Sequence, residues 1–465
     1  MATTNVESGA ATLAKYVCRE SFAALPADVR RAAARQIMSS VGTMIGGSRS
    51  EPARIVRGVL SALGGEEQAT VLSTGKRVPM LHAVCINGYM ANALDYDDMF
   101  SGADFGGHPC SGIVPAALAV AEQLGSSGEE LIAAVAAGFE CAVRVGGAIA
   151  PSPERGNDVL PLATWQSLGA AAAAANLLRL DETKTTHAIA LAAVLMPVPS
   201  GRKWGELRGD PGPVSWAKNG YGWASMGAVL AALFARDGYI GNPLVFEGPN
   251  GFWAMAGSDR SHPERLTAGL GKEYAILSDS IKAYPACWHA QSTLEALEQI
   301  LKHDPIDPAS VSRLTIEVCS HAVDVLSNVA RMTPVGVPFS LAYLSSLMLH
   351  GVPLHNVPAA KLEDPSVRRV AEGARVCERP TPTPPKESPA TVTVELKNGK
   401  RLSATVEIPT GDYRRPLSDA ALHEKSTLLM QGVLEPSVVK RILADLPDLS
   451  SCSAVGKMVR QWYAH

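Results

Sequence analysis

Six consecutive alanines, Ala170–Ala175, lie between Leu168 and Leu177. No other stretch constrains the fold of this chain as tightly. Alanine is the best helix former, so the run predicts a helix. The helix has no polar face and must be covered on every side. Small side chains let neighbouring helices approach closely, so the run predicts a packed helical body. The rest of the first half reads the same way. Val29, Ala33, Ile37 and Val41 recur every four residues after Pro26-Ala-Asp28, an amphipathic stripe. Ser127-Gly-Glu-Glu130 has the pattern of a capping box ahead of the apolar segment from Leu131. Asp181 is placed to cap a helix running through His187 to about Leu195. No strand pattern rises above this background before about residue 270.

The pattern then changes. Arg313-Leu-Thr-Ile-Glu-Val-Cys319 alternates with period two and reads as a strand. Thr391–Leu396 and Leu402–Ile408 alternate around Asn398-Gly399, a hairpin turn. The proline-rich segment Pro380–Pro385 before them reads as a stiff connector. Ser418 is placed to cap a polar helix. The fold class expected is mainly α: a large all-α domain at 1–270, a smaller α+β lid domain at 271–410, and helices at 411–465 that return to the first domain.

Composition narrows the function. Of 465 residues, 46% are hydrophobic and 19% charged, with a formal net charge of −3. That apolar content excludes a disordered chain, and the charge balance supplies no basic footprint, so nucleic acid is not an expected partner. The longest apolar segment, Leu131–Ala150, is interrupted by Glu140 and Arg144, so no membrane span is expected. The N-terminal residues lack a basic segment followed by an apolar stretch, so no secretory signal is expected. The eight cysteines lie far apart and form no C-x-x-C pair, which fits reduced thiols in a cytoplasmic protein. A phosphate-binding G-x-x-x-x-G-K-[ST] and a G-x-S-x-G elbow are absent, and Gly220-Tyr-Gly222 lacks the third glycine and preceding strand of a dinucleotide loop. Counting twelve positions from Asp95 reaches Gly106, not the glutamate of a calcium loop. His423-Glu424 has no second histidine four residues on. No set of residues has metal-ligand spacing, so neither metal nor nucleotide cofactor is expected.

Three polar islands remain. Asn92–Asp98 leads through glycines to His108-Pro-Cys-Ser-Gly112. Helical spacing would put Asp95 and Asp98 on one face, and carboxylate plus imidazole is an acid/base set. A solvated helix end with a structural loop is the competing reading. Lys218 sits among glycines and aromatics in 216–227, where desolvation would lower its pKa unless it is a snorkelling surface lysine. Lys282-Ala-Tyr-Pro-Ala-Cys-Trp-His289 gathers a second lysine, a tyrosine, a cysteine and a histidine on a proline-stiffened loop. Two ammonium groups converging on one cavity would favour a carboxylate-bearing substrate.

These islands, in this order, resemble the MmgE/PrpD family, whose activities include methylcitrate dehydration, cis-aconitate decarboxylation and iminodisuccinate epimerisation. The resemblance is carried by Ala93-Leu-Asp-Tyr-Asp-Asp98 with His108–Gly112, Lys218, Ala235-Arg-Asp-Gly-Tyr-Ile-Gly241, Phe246-Glu-Gly-Pro-Asn-Gly-Phe252, Lys282–Cys287 and Pro416-Leu-Ser418. It implies a helical domain with a lid, an active site in the cleft between them, a homodimer, and no metal or nucleotide. By resemblance Asp95, His108, Lys218 and Lys282 are the catalytic set. Asp95 or His108 would transfer protons, and the two lysines would hold substrate carboxylate. On that view, removing Lys282 should abolish turnover and leave the fold intact. Tyr96, Met99, Leu160, Tyr284, Cys287 and His289 are the expected substrate contacts.

Several positions depart from the decarboxylase branch. Leu160 and Cys287 stand where that branch has histidines, and Met99 where it has a threonine. The 95–108 loop is about three residues longer, and a family tyrosine falls on Ala342 or Tyr343. Losing two imidazoles removes donors that a tricarboxylate would need in a buried cleft. The reaction expected is therefore elimination, as in a dehydratase, on a less anionic acid or carbonyl compound than methylcitrate or cis-aconitate. Epimerisation, cyclisation or decarboxylation by the same α-proton chemistry is the alternative, and a binding protein without catalysis is the reading from another class. The scarce charge, on this reading, converges into a cationic cleft.

Overall fold

The computed structural model describes residues 8–102, 105–156, 158–159, 162–196, 198, 201, 205–206, 220–329, 332–380 and 387–464. Among the elements are helices α1 (Ala27–Gly47), α2 (Met80–Asn92), α3 (Cys110–Leu124), α4 (Gly128–Ile149), α5 (Leu162–Leu177), α6 (Glu182–Leu195) and α7 (Tyr221–Arg236). The stripe residues Val29, Ala33, Ile37 and Val41 all face the core of α1 with no exposed surface. At the start of α4, Ser127 Oγ accepts the Glu130 N–H at 3.2 Å and Glu130 Oε2 accepts the Ser127 N–H at 2.8 Å, closing the capping box. Asp181 Oδ1 accepts the Lys184 N–H at 2.8 Å and starts α6.

The alanine run lies in α5, and all six alanines are fully buried. Its packing against α4 needs glycine on both helices: a Cβ added at Gly138 would sit 2.5 Å from the Gly169 carbonyl oxygen. The same device seats α7 on α2, because a Cβ at Gly222 would fall 2.2 Å from the Cys85 carbonyl oxygen. That contact brings Tyr221, the first residue of α7, to the end of α2. Helix α4 is long and apolar enough to cross a membrane, but its apolar window is wholly buried inside the protein. Its polar pair is internal too, with Arg144 Nε donating to Glu140 Oε1 at 2.9 Å.

Strands do occur before residue 270, contrary to the sequence pattern. Among the described residues, β1 (Asp98–Ser101) pairs antiparallel with β2 (Gly106–Gly107) on one side and with β3 (Asp279–Ile281) on the other. These segments are too short to show alternation, and β3 comes from the far side of the chain. A four-stranded sheet follows, in the order β5 (Ala374–Glu378), β4 (Val311–Val318), β6 (Ala390–Leu396), β7 (Arg401–Val406). Strands β4 and β5 are parallel and the other pairs antiparallel, with Ile316 opposite Val392 and Val392 opposite Ala404. Helix α8 (Gln291–His303) packs Leu294, Leu297 and Ile300 against this sheet.

Among the described residues two large apolar cores result, with a small third cluster of Ala163, Met196, Tyr221 and Ala224. One collects residues from 10 to 281 together with residues from 417 to 462; the other collects residues from 286 to 406. Helix α9 (Asp419–Met430), opened by Ser418 Oγ accepting the Ala421 N–H at 3.1 Å, belongs to the first core and lies on α1. The fold is therefore mainly α: a large helical body and a smaller α+β unit. Lys282 stands between the two cores in sequence, at the end of β3.

Candidate active site

Helix α2 ends at Asn92, and the chain must turn sharply to enter β1. Asp95 makes the turn with φ of +52°. Such a left-handed conformation is tolerated by Asp and Asn better than by other non-glycine residues. The expected helical face joining Asp95 and Asp98 therefore does not exist. Asp95 lies on the turn, and Asp98 is the first residue of β1.

The turn folds two carboxylates and a backbone carbonyl around one ammonium. Lys282 is fully buried, and its Nζ donates to Asp95 Oδ1 at 2.6 Å, to the Asp95 carbonyl at 3.1 Å and to Asp97 Oδ1 at 2.8 Å. Burial alone would lower its pKa, but Asp95 and Asp97 more than offset this and hold it above its ordinary value. Asp97 also accepts from Asn92 Nδ2, and from Ser111 Oγ at 2.6 Å. All three N–H bonds of Lys282 are committed to these acceptors, and no fourth remains for a substrate. The expected anchoring role gives way to a charge-pairing one.

His108 follows β2 and stands on the same carboxylates. Its Nδ1 lies 2.7 Å from the Asp98 carbonyl and 3.5 Å from Asp97 Oδ1. The carbonyl can only accept, which assigns the proton to Nδ1 and leaves the lone pair of a neutral ring on Nε2. The ring meets that of Tyr221 edge-on, with centroids 6.3 Å apart. Burial and Asp97 raise the Tyr221 pKa, so its hydroxyl stays protonated.

Behind this group lies a second one. Asp98 Oδ2 accepts the Cys110 N–H at 2.9 Å, and Asp279 Oδ2 accepts from Gln36 Nε2 at 2.7 Å. The Cys110 thiol is 3.8 Å from Asp279 Oδ2. Burial, then Asp97, pushes Asp98 up to about 7; burial, then Asp98, pushes Asp279 well above the ordinary aspartate value. Sequence spacing suggested no metal-ligand group, but among the described residues the fold gathers two. The ligand atoms of Asp95, Asp97 and His108, and those of Asp98, Cys110 and Asp279, lie within 4.8 Å of one another in each set. In the first set the Lys282 ammonium already supplies the positive charge. The residues come from turn, strand and loop, so their spacing along the chain carries no signal.

The Asp98 shift has a measurable consequence. The folded protein holds a proton that the unfolded chain, with an aspartate near 3.8, releases. Between about pH 4 and pH 7 the unfolded state binds fewer protons, so this group makes stability fall as pH rises. Asn at position 98 keeps the acceptor for Cys110 and cannot ionise. Urea unfolding should show Asp98→Asn gaining about 2–4 kcal/mol relative to wild type between pH 4 and pH 8. An unchanged difference across that range would mean that Asp98 is not protonated in the fold.

A cleft opens above Asp95. Its floor is Asn92, Asp95 and Tyr221, and its far wall is Val335, Pro338 and Phe339 from the smaller unit. Asp95 is thus the predicted catalytic residue that lines the cleft; Lys282 lies beneath it, and His108 lies beside Tyr221. Lys218 and Leu160 fall outside the described residues, as does the connector at 381–385. The other expected substrate contacts do not line this cleft. Tyr96 turns away to donate to the Ala283 carbonyl at 2.7 Å, and Tyr284 donates to Glu298 Oε2 at 3.1 Å. His289 faces Ser388 Oγ at 2.6 Å and the His321 ring at 4.9 Å, and burial lowers its pKa to about 3. Met99 pairs with Ser280 in the small sheet, and the Cys287 N–H donates to the Pro338 carbonyl at 2.9 Å, behind the far wall. Ala342 and Tyr343 are both buried in the core of the smaller unit. Tyr96, Tyr284 and His289 thus each have a polar partner outside the cleft.

Among the described residues, Asp95 and Asp97 pair with Lys282, and Asp98 and Asp279 lie behind them. Sequence reasoning missed Asn92, Asp97, Tyr221 and Asp279 as functional positions. Asp97 sits within the first motif, where its adjacency to Asp95 and Asp98 was a usable signal. Asp279 has none, being brought in by β-pairing alone.

A model of the MmgE/PrpD N-terminal domain matches residues 11–264, and a model of the MmgE/PrpD C-terminal domain matches residues 284–446. A cis-aconitate decarboxylase-like protein, oryM, of Aspergillus oryzae is 26% identical over 475 residues, covering 97% of this chain and 96% of the relative. The cis-aconitate decarboxylase of Homo sapiens is 24% identical over 455 residues, covering 92% and 89%. That of Aspergillus terreus is 24% identical over 402 residues, covering 80% and 79%. With both domain models matched across most of its length, the chain belongs to the MmgE/PrpD family.

Proposed function

We propose that the protein is a lyase that removes a proton next to the carboxylate or carbonyl group of a small or medium organic acid and eliminates water. The observation that carries this reading is the seating of Asp95 on the floor of the cleft, ion-paired to a buried Lys282, with His108 and Tyr221 beside it. A carboxylate held by an ammonium is a weak base, so the proton falls to His108 Nε2. Asp95 accepts a hydrogen bond from the substrate hydroxyl and orients it. Tyr221, protonated, donates to the enolate-like oxygen as charge develops there. Hydroxide leaves only when protonated, and the imidazolium formed at His108 supplies that proton.

The cleft suits a substrate with an apolar part. Pro52, Ala93, Val335, Pro338 and Phe339 line its walls above the polar floor. Asp95 on the floor disfavours a tricarboxylate, because like charges in a desolvated site repel. Decarboxylation is the second reading, favoured by the names of the similar proteins. Chiral chromatography coupled to mass spectrometry, after incubation with a panel of hydroxylated and unsaturated carboxylic acids, separates the readings. Loss of water from one acid supports the proposal. Loss of carbon dioxide supports the second reading. A change of configuration without loss would assign an epimerase and overturn both.

A further inference from the structure

The tail helix α9 sends a lysine into the site from behind. Lys425 is 5% exposed. Its Nζ donates to the Tyr96 carbonyl at 2.7 Å, to the Lys282 carbonyl at 2.9 Å and to Ser39 Oγ of α1 at 3.3 Å. It also lies 4.2 Å from the centre of the Tyr96 ring, within cation–π range. These contacts single out two backbone positions. Tyr96 separates Asp95 from Asp97, and Lys282 is the residue that both carboxylates grip. The Tyr96 hydroxyl adds a third tie by donating to the Ala283 carbonyl at 2.7 Å.

All three acceptors of Lys425 are neutral. Holding an ammonium in the interior on neutral acceptors is expensive compared with a packed apolar side chain. Burial accordingly pulls its pKa down to about 7, with Asp97 working in the opposite sense. A methionine would fill much of the same space at far lower cost, so structure alone does not account for a lysine here.

We propose that Lys425 is a positioning residue: by binding the carbonyls of Tyr96 and Lys282 together, it fixes the distance from the Asp95 and Asp97 carboxylates to the Lys282 ammonium. The inference rests on that carboxylate group being the working site. Helix α9 thereby belongs to the active-site framework, although none of its residues lines the cleft.

Two measurements on Lys425→Met separate this role from mere packing. The first is the ¹⁵N resonance of the Lys282 side chain in lysine-labelled protein, assigned with Lys282→Arg. It should shift or broaden in Lys425→Met, whatever the reaction turns out to be. The second is steady-state kinetics on the acid that the wild type consumes. There kcat should fall by roughly 10–100-fold while KM changes less than threefold, the pattern of a misplaced reacting group. If Lys425→Met does not fold, Lys425→Gln, which keeps two donors without charge, carries the same measurements with a smaller expected effect. An unmoved Lys282 resonance with kcat unchanged would overturn the proposal, even if the melting temperature drops. A moved resonance in a protein that consumes no acid would uphold the positioning and refute the lyase reading.

Discussion

Replacing Lys282 with methionine will cost the fold about 3–5 kcal/mol, because it leaves Asp95 and Asp97 buried without their counter-charge. Both carboxyl groups have no more than 3% of their side-chain surface exposed, and both bond Lys282 at under 3 Å. The motif alone predicted a substrate-facing lysine whose loss would spare the fold; complete burial of the side chain reverses that expectation. The double variant Lys282→Met, Asp97→Asn removes one of the stranded charges and should recover part of the loss. Urea unfolding at pH 7 measures both variants. Lys282→Met within about 0.5 kcal/mol of wild type, the range of an ordinary surface change, would show that the ion pairs do not form.

Asp95→Asn should lower kcat/KM by about 10²- to 10⁴-fold, the usual range for removing an acid/base or orienting carboxylate from the reacting centre. Asparagine is the informative replacement. It tolerates the positive φ that the turn imposes, and its amide oxygen can still accept from Lys282. Alanine would add backbone strain and confuse a loss of chemistry with a loss of geometry. Circular dichroism should show Asp95→Asn folded at 25 °C, and kinetics within threefold of wild type would remove Asp95 from the site.

The helical body was legible in the sequence because its determinants are local. Ser127, Asp181 and Ser418 mark helix starts by side-chain capping, and the alanine run announces a helix covered on all sides. The alternation at 313–319 and around Asn398-Gly399 located β4, β6 and β7 to within a few residues. The site was legible only as islands. Asp95, His108 and Lys282 could be named, but their mutual arrangement could not. Helical spacing misled at Asp95 and Asp98 because the chain leaves the helix at Asn92, and a positive φ is invisible to periodicity. Asp279 and Lys425 carried no signal, since strand pairing and tail packing bring them in from distant parts of the chain. Tyr96, Tyr284 and His289 lay in the right motifs, but each finds its hydrogen-bond partner away from the cleft.

The central claim is that His108, set by the Asp98 carbonyl and flanked by Asp97, removes a carbon-bound proton from the ligand in the cleft. Proton NMR in deuterated water tests it most directly, following wild type and His108→Gln side by side on the acid that the wild type consumes. A proton on the carbon next to the carboxylate or carbonyl should be lost as the unsaturated acid forms in the wild type, and at least a hundredfold more slowly in His108→Gln. Equal rates in the two proteins, or turnover that leaves every proton on that carbon in place, would contradict the account.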